Sequence, residues 1–214
     1  MSEAVGDFVA VMRRLRAECP WKQEQTHRSL ARYLLEETHE TLEAIDRGDH
    51  EHLREELGDL LLQVVFHAVI AEETGVFDLD EVARGITEKM VRRNPHVFAP
   101  VVSRDGRSAT SSTTDGERLT PAEVDAEWQR IKAQEKGRSG ITDGLPPTLP
   151  ALLYADKLLA RLDSAGRPAA VDPGSPDLGE RLLALVAEAR EAGVDPEQAL
   201  RDAVALRSDP STSG

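Results

Sequence analysis

The stretch LLEETHETLEAIDRGDHEHLREELGDLLLQVVFHA, residues 34–68, combines a dense run of carboxylates with a strongly apolar segment. Between Glu36 and Asp59 there are ten carboxylates and two arginines, whereas LLLQVVFHAVIA, residues 60–71, is apolar on nearly every side. A surface helix would not end in such a segment, and a core helix would not begin with so many charges. The carboxylates therefore need a role besides solubility.

Two helices joined by a short turn are predicted here. The first runs from about Ser29 to Arg47 and ends at Gly48, a residue type favoured at helix C-termini. Asp49 caps the second, which continues to near Gly75. Because the connection is short, we expect the helices to pack antiparallel. The apolar spacing predicts inner stripes formed by Leu34, Leu42 and Ile45 on the first helix and by Leu53, Leu57, Leu60 and Val64 on the second.

Helical patterns also dominate the rest of the 214-residue chain. Aromatic residues make up only 4%, and the abundant Ala, Leu, Glu and Arg favour helices over strands. Further helices are predicted over DFVAVMRRLRA (7–17), from the Asp78–Glu81 capping pair to Asn94, from the TPAE capping box (120–123) to about Lys136, and near 151–163, 178–191 and 195–206. We predict an all-α helical bundle without significant sheet.

Composition shifts divide the chain. We predict a helical domain over residues 1–140 with a flexible loop at 100–118, a linker at 141–150, a second helical segment at 151–208 and a disordered tail at 209–214.

Charge and cysteine content limit the class of protein. A net charge of −13 disfavours nucleic-acid binding, and one cysteine fits a reducing compartment. The apolar segment at 60–71 is too short to cross a bilayer, and the N-terminus lacks the pattern of a secretory signal. We therefore expect a cytoplasmic protein with no membrane or nucleic-acid partner.

Two pairs of carboxylates have the spacing of a metal site. Glu37 and Glu40 are three residues apart, as are Glu56 and Asp59, so each pair shares one helix face. In antiparallel helices the pairs converge beside the core without matching Lys or Arg, and oxygen ligands of this kind suit Mg²⁺, with Mn²⁺ as a substitute. The other acidic residues of the stretch are expected to form a solvated surface: Glu43, Asp46, Glu51 and Glu55.

Four motifs carry a family resemblance. EETHE (36–40) followed by EELGD (55–59) resembles the E-E-x-x-E and E-x-x-D signature of the MazG nucleotide pyrophosphohydrolases, within the all-α NTP pyrophosphatase superfamily. CPWKQEQTHRSL, KMVRRNPHVF and EWQRIKAQEK are similar to three further motifs of that family, in the same order. Lys22 and Asn94 depart from it, since the family usually has Asp and His there.

The resemblance implies an activity and further site residues. The expected reaction is hydrolysis of a nucleoside triphosphate between the α and β phosphorus atoms, giving a nucleoside monophosphate and pyrophosphate. By resemblance, Lys89, Arg93, Trp128 and Lys132 contact the triphosphate and base. Glu36 is expected either to support a metal ligand or to act as general base, or else to be a surface residue. Members of the family are oligomeric, and the apolar surface around residues 60–71 also favours a homodimer or larger assembly.

Three other functions account for parts of the sequence. The closest are phosphoribosyl-ATP or dCTP/dUTP pyrophosphohydrolase activity within the same superfamily. The two E-x-x-H repeats at 24–27 and 36–39 suggest a di-iron bundle, but only twelve residues separate their starts, too few for two facing helices. A non-catalytic helical interaction module would leave Lys89, Arg93 and Trp128 unexplained.

Three histidines and Cys19 are not expected to take part in the site. His50 and His52 are expected to face solvent, His67 to be a hydrogen-bonded core residue, and Cys19 to be structural.

The C-terminal third is predicted to be a degenerate second MazG-like segment. Residues 179–204 align with 58–86, both reading as a helix, a Gly-Val turn and a second helix. Glu180 then matches Asp59, but no E-E-x-x-E precedes it, so metal binding there is expected to be negligible. LPALL at 149–153 resembles the linker of two-domain members of the family.

Overall fold

The computed structural model describes residues 3–98, 101–102, 108–109, 120, 123–124, 127–128, 130–131, 135 and 140–208. Its helices are α1 (Glu3–Glu18), α2 (Pro20–Gln23), α3 (His27–Arg47), α4 (His50–Glu73), α5 (Leu79–Arg93), α6 (Pro95–Phe98), α7 (Ala151–Ser164), α8 (Leu178–Glu191) and α9 (Pro196–Ser208). The described residues between 123 and 135 are also helical. The predicted all-α class is confirmed. The chain divides into two compact units, Met1–Trp128 and Gln129–Gly214.

The α3–α4 hairpin is the centre of the first unit. Gly48 ends α3 with a left-handed φ of 66°, a conformation that glycine adopts without a steric cost from Cβ. The Asp49 carboxylate accepts hydrogen bonds from the backbone N–H groups of Glu51 and His52, which starts α4. This reversal within two residues makes the helices antiparallel, as the sequence predicted.

The core of the first unit lies where α1 and α3 pack against the C-terminal half of α4. Its largest fully buried side chains are Phe66, Met12, Leu30 and Val65. Ion pairs from α1 to the end of α4 lie at its edge, including Arg16 Nε with Glu73 Oε1 at 2.7 Å. The Arg16 guanidinium also donates to the carbonyl oxygens of Lys22 and Gln25, which fixes α2 beside this core.

The predicted inner stripes of α3 and α4 are wrong. The side chains of Ile45 and Leu57 are 53% and 52% exposed, and those of Leu34 and Val64 are exposed as well. The leucines at 42, 53 and 60 are only half-buried. The buried residues are instead Leu30, Thr41 and Ala44 on α3 and Glu56, Gln63, Val65, Phe66, Ala68, Val69, Ile70 and Ala71 on α4, so most of the C-terminal half of α4 is buried. Both helices have apolar residues on more than one side, so spacing alone did not identify the face that packs.

The end of the first unit contains α5, α6 and a short ladder. Asp78 and Glu81 form the predicted capping box at the start of α5. Within the stretch predicted as a loop, Val101–Val102 and Ser108–Ala109 pair antiparallel, a ladder of two residues per strand that agrees with the prediction of no significant sheet. Such a small ladder leaves the fold class unchanged.

The second unit consists of α7, α8 and α9 around a small core. Its buried residues include Leu159 on α7 and Val186 on α8. The Arg190 guanidinium joins α8 to α7, since it lies 2.6 Å from the Asp156 carboxylate and 3.2 Å from that of Asp163.

No helix in the described part of the chain is long and apolar enough to cross a membrane. Lys132, the tail at 209–214 and most of the predicted loop at 100–118 lie outside the described residues.

Candidate metal centre and active site

Three carboxylates converge between α3 and α4. One oxygen from each of Glu37, Glu56 and Asp59 lies within 4.8 Å of the others. Glu37 comes from the middle of α3, whereas Glu56 and Asp59 come from the first half of α4. The antiparallel hairpin brings them together because Glu37 precedes the turn by about as many residues as the α4 pair follows it.

Glu56 is the most buried member of this acidic cluster, with 6% of the residue exposed. Its Oε1 atom lies 2.9 Å from His52 Nε2, one turn earlier on α4. Its Oε2 atom is buried and has no hydrogen-bond partner in the described part of the chain. A buried carboxylate oxygen without a partner is costly, and a cation is the partner that would satisfy it.

Electrostatics in the cluster favour a cation. Burial raises the pKa of Glu37, and the negative charges of Asp59, Glu40, Glu56 and Glu36 raise the pKa further. The carboxylates therefore repel one another, and within the described part of the chain Glu37, Glu56 and Asp59 form no ion pair with a lysine or arginine. Hard oxygen ligands, mutual repulsion and an unsatisfied buried oxygen together fit a divalent metal ion. The acidic cluster could hold such an ion.

Glu40 and Glu36 differ from the three converging residues. Glu40 is half-buried one turn beyond Glu37 on α3, but it does not belong to the set within 4.8 Å. Its charge nevertheless acts on Glu37. Glu36 is exposed. The structure thus brings together three of the four predicted metal ligands and places the fourth beside them.

Two of the predicted substrate-binding cations, Lys89 and Arg93, lie on α5. Arg93 is 7% exposed, and its guanidinium carbon lies 5.3 Å from the centroid of the Trp128 indole, a cation–π contact. Lys89 is half-buried one turn before Arg93. Two of the predicted residues, distant in sequence, are therefore in contact.

Comparisons with known proteins agree with this arrangement. The model of the MazG nucleotide pyrophosphohydrolase domain matches residues 25–98, which contain the whole acidic cluster. An uncharacterized 26.1 kDa protein of Streptomyces cacaoi is 42% identical over 206 residues, covering 95% of this chain and 79% of that protein. The nucleoside triphosphate pyrophosphohydrolase/pyrophosphatase MazG of Thermotoga maritima is 36% identical over 222 residues, covering 92% and 80%.

The chain belongs to the MazG family. The nucleoside triphosphate pyrophosphohydrolase of Mycolicibacterium smegmatis is also similar, with 42% identity over 207 residues and 94% of this chain covered. This MazG chain spans only 56% of that relative's length.

The two departures from the MazG motifs have local roles. Asn94 ends α5, and its Nδ2 atom donates a hydrogen bond of 2.8 Å to the carbonyl oxygen of Met90. Lys22 Nζ lies 5.4 Å from the Trp21 ring centroid and 5.1 Å from that of Phe66. Lys22, where the family usually has aspartate, therefore lies against two aromatic rings.

Sequence reasoning missed two features of this MazG site. His52 was expected to face solvent, but it contacts Glu56, and the spacing of four residues on one helix was the available signal. His67 is hydrogen-bonded as predicted, with 2.8 Å between its Nδ1 and that of His27, yet it is half-buried rather than fully in the core. Burial lowers the pKa of His67, and His27 lowers it further.

Proposed function

We propose that this MazG chain hydrolyses nucleoside triphosphates between the α and β phosphorus atoms, releasing a nucleoside monophosphate and pyrophosphate. The observation that carries the proposal is the convergence of Glu37, Glu56 and Asp59, with a buried carboxylate oxygen that lacks a partner in the described residues. The printed names of relatives 36–42% identical, nucleoside triphosphate pyrophosphohydrolases, support it. They favour it over phosphoribosyl-ATP or dCTP/dUTP pyrophosphohydrolase activity and over a non-catalytic interaction module.

The proposed metal is Mg²⁺, with Mn²⁺ as a substitute, and its proposed ligands are Glu37, Glu56, Asp59 and Glu40. Bound there, the ion would supply neutralisation of phosphate charge and a lowered pKa of water. Such chemistry suits phosphoryl transfer, which depends on positioning and charge stabilisation rather than on a covalent nucleophile.

The other site residues are assigned by charge and position. Lys89, Arg93 and Lys132 are proposed to neutralise the triphosphate, and Trp128 to stack on the base. The Arg93 guanidinium is buried against Trp128, so these two side chains form one preorganised surface. Glu36 is proposed to accept the proton that the attacking water loses, or to orient a metal ligand.

Product analysis tests this proposal. The full chain is incubated with Mg²⁺ and each of the eight common ribo- and deoxyribonucleoside triphosphates, and products are identified by chromatography. Nucleoside monophosphate and pyrophosphate are expected, and Glu56→Gln should abolish their formation. Glu55→Gln, which removes an exposed charge from the neighbouring position of α4, serves as the control and should retain activity. Nucleoside diphosphate and orthophosphate as main products would refute the assignment.

Assembly, location and domain roles complete the proposal. We infer a homodimer or larger assembly, because Leu57, Leu61 and Val64 on α4 are exposed. A cytoplasmic location without nucleic-acid partners is proposed from the single cysteine and the charge of −13. Residues 1–140 are proposed as the catalytic domain, 141–150 as a linker and 151–208 as a degenerate copy.

A further inference from the structure

Gln63 on α4 has a buried side-chain oxygen without a partner. The residue is 3% exposed, and in the described part of the chain nothing donates a hydrogen bond to its Oε1 atom. Only one other buried side-chain atom there lacks a partner, Oε2 of Glu56. Native structures rarely leave such atoms unsatisfied, so both oxygens indicate groups that arrive from outside the chain.

Both oxygens belong to one face of α4. Gln63 follows Glu56 by seven residues, which returns it to the same side of the helix about 10 Å further along the axis. The contact between His27 and His67 shows that α3 runs back beside α4 in this direction. Tyr33, one turn before Glu37 on α3, therefore lies toward the same end of the hairpin as Gln63.

The surroundings at this end differ from those of the acidic cluster. Trp21 packs edge-on against Tyr33 with ring centroids 6.0 Å apart, and 48% of Trp21 is exposed. Lys22 Nζ lies over the rings of Trp21 and Phe66, and Lys22 forms no ion pair with any described residue. One end of the hairpin thus offers carboxylates, whereas the other offers an aromatic surface and an amide acceptor.

We propose that Gln63 accepts a hydrogen bond from the nucleoside part of the substrate and thereby determines specificity for the sugar or the base. This inference rests on the proposed function. A triphosphate ionised at neutral pH offers acceptors, so the donor that Gln63 lacks must come from a sugar hydroxyl or a base N–H group. The separation of about 10 Å along α4 suits a nucleotide whose phosphates lie at the acidic cluster. The terminal torsion of glutamine is soft, so the amide turns toward an arriving donor at little cost.

The test removes one donor from the substrate and one acceptor from the protein. The specificity constant kcat/KM for ATP is compared with those for three analogues that each lack one donor. Purine riboside triphosphate lacks the amino group of the base, 2′-deoxy-ATP lacks the 2′-hydroxyl, and 3′-deoxy-ATP lacks the 3′-hydroxyl. Wild type should discriminate about tenfold against one analogue. Gln63→Met has a similar shape but no amide acceptor, so the ratio of kcat/KM for ATP to kcat/KM for that analogue should fall close to one. Gln63→Glu keeps an acceptor and should preserve the ratio.

Controls separate this role from packing and from the activity itself. Val69→Ala, a core substitution elsewhere on α4, should lower thermal stability but leave the ratio unchanged. An equal loss of kcat/KM for all substrates in Gln63→Met, or no change, would overturn the inference and leave water or a second copy of the chain as the partner of Gln63. If wild type releases no pyrophosphate, the proposed function fails instead. In that case, the affinities of the α,β-methylene forms of ATP and of the three analogues are measured with Mg²⁺. Equal affinities of wild type for all four would overturn the specificity role of Gln63 independently.

Discussion

The substitution Asp59→Asn tests whether the acidic cluster is built for a cation. The Asp59 oxygen lies within 4.8 Å of an oxygen of Glu37 and one of Glu56. At that separation two unit charges interact by about 1 kcal/mol in bulk water and by about 3.5 kcal/mol at an effective dielectric of about 20. Asp59 is half-buried, so the lower part of this range applies. Without metal, Asp59→Asn should therefore raise the free energy of unfolding by about 1–2 kcal/mol, or the melting temperature by about 3–6 °C.

Magnesium should stabilise wild type and have little effect on Asp59→Asn. The free energy of unfolding of wild type should rise by about 1.4 kcal/mol for each tenfold increase in free Mg²⁺ above the dissociation constant, because only the folded state holds the converged carboxylates. Asp59→Asn has lost one ligand and should respond weakly. Turnover should be abolished in Asp59→Asn and in Glu40→Gln, the latter testing the ligand outside the converging set.

The assay is thermal unfolding followed by circular dichroism, in EDTA and across millimolar Mg²⁺. Glu55→Gln is the matched control, since it removes the same charge at an exposed position of α4 and should follow wild type in both buffers. A lower melting temperature of Asp59→Asn in EDTA, or equal stabilisation of wild type and variant by Mg²⁺, would refute the reasoning.

Three further outcomes are expected. The pKa of His67 is lowered on folding, so the unfolded chain takes up its proton first, and stability should fall as pH drops from about 7 through about 6.5 toward the lowered pKa. In urea unfolding, His67→Gln should lose less unfolding free energy over this pH range than wild type. His50→Gln, which changes an exposed histidine and serves as the control, should lose as much as wild type. Light scattering at micromolar concentration should give at least twice the monomer mass of 23.4 kDa, and a monomer mass would contradict the proposed assembly. Glu180→Ala should retain full turnover, as should a truncation after Gly140, and loss of metal-dependent activity in Glu180→Ala at unchanged stability would show that the C-terminal copy is catalytic.

Local signals predicted the helices well because their ends depend on neighbouring residues. Gly48, Asp49 and Asp78 each act within a few positions of the chain, so sequence alone located both ends of the hairpin turn and the start of α5. The proximity of Glu37, Glu56 and Asp59 followed from similar logic, since i,i+3 pairs on two antiparallel helices come close once the hairpin closes, although Glu40 lies outside the converging set.

Packing between helices was less predictable. Apolar residues extend round α4, and its buried set includes the polar Gln63 while Leu57 is 52% exposed, so the spacing of apolar residues did not identify the packed positions. The contact of Arg93 with Trp128 likewise joins residues far apart in sequence, so only a family resemblance suggested that they belong together.

The hairpin of α3 and α4 also bears on how such a site is inherited. Every carboxylate of the acidic cluster comes from one segment, residues 27–73, in which two helices are joined by a short turn. Because the connecting turn is short, closing this hairpin costs little loop entropy. It can also be duplicated, fused or permuted as a single module without separating its ligands. By the same logic, loss of either helix from a duplicated copy removes one or two of the three converging carboxylates at once, and the copy then loses its chemistry even where its other helices persist.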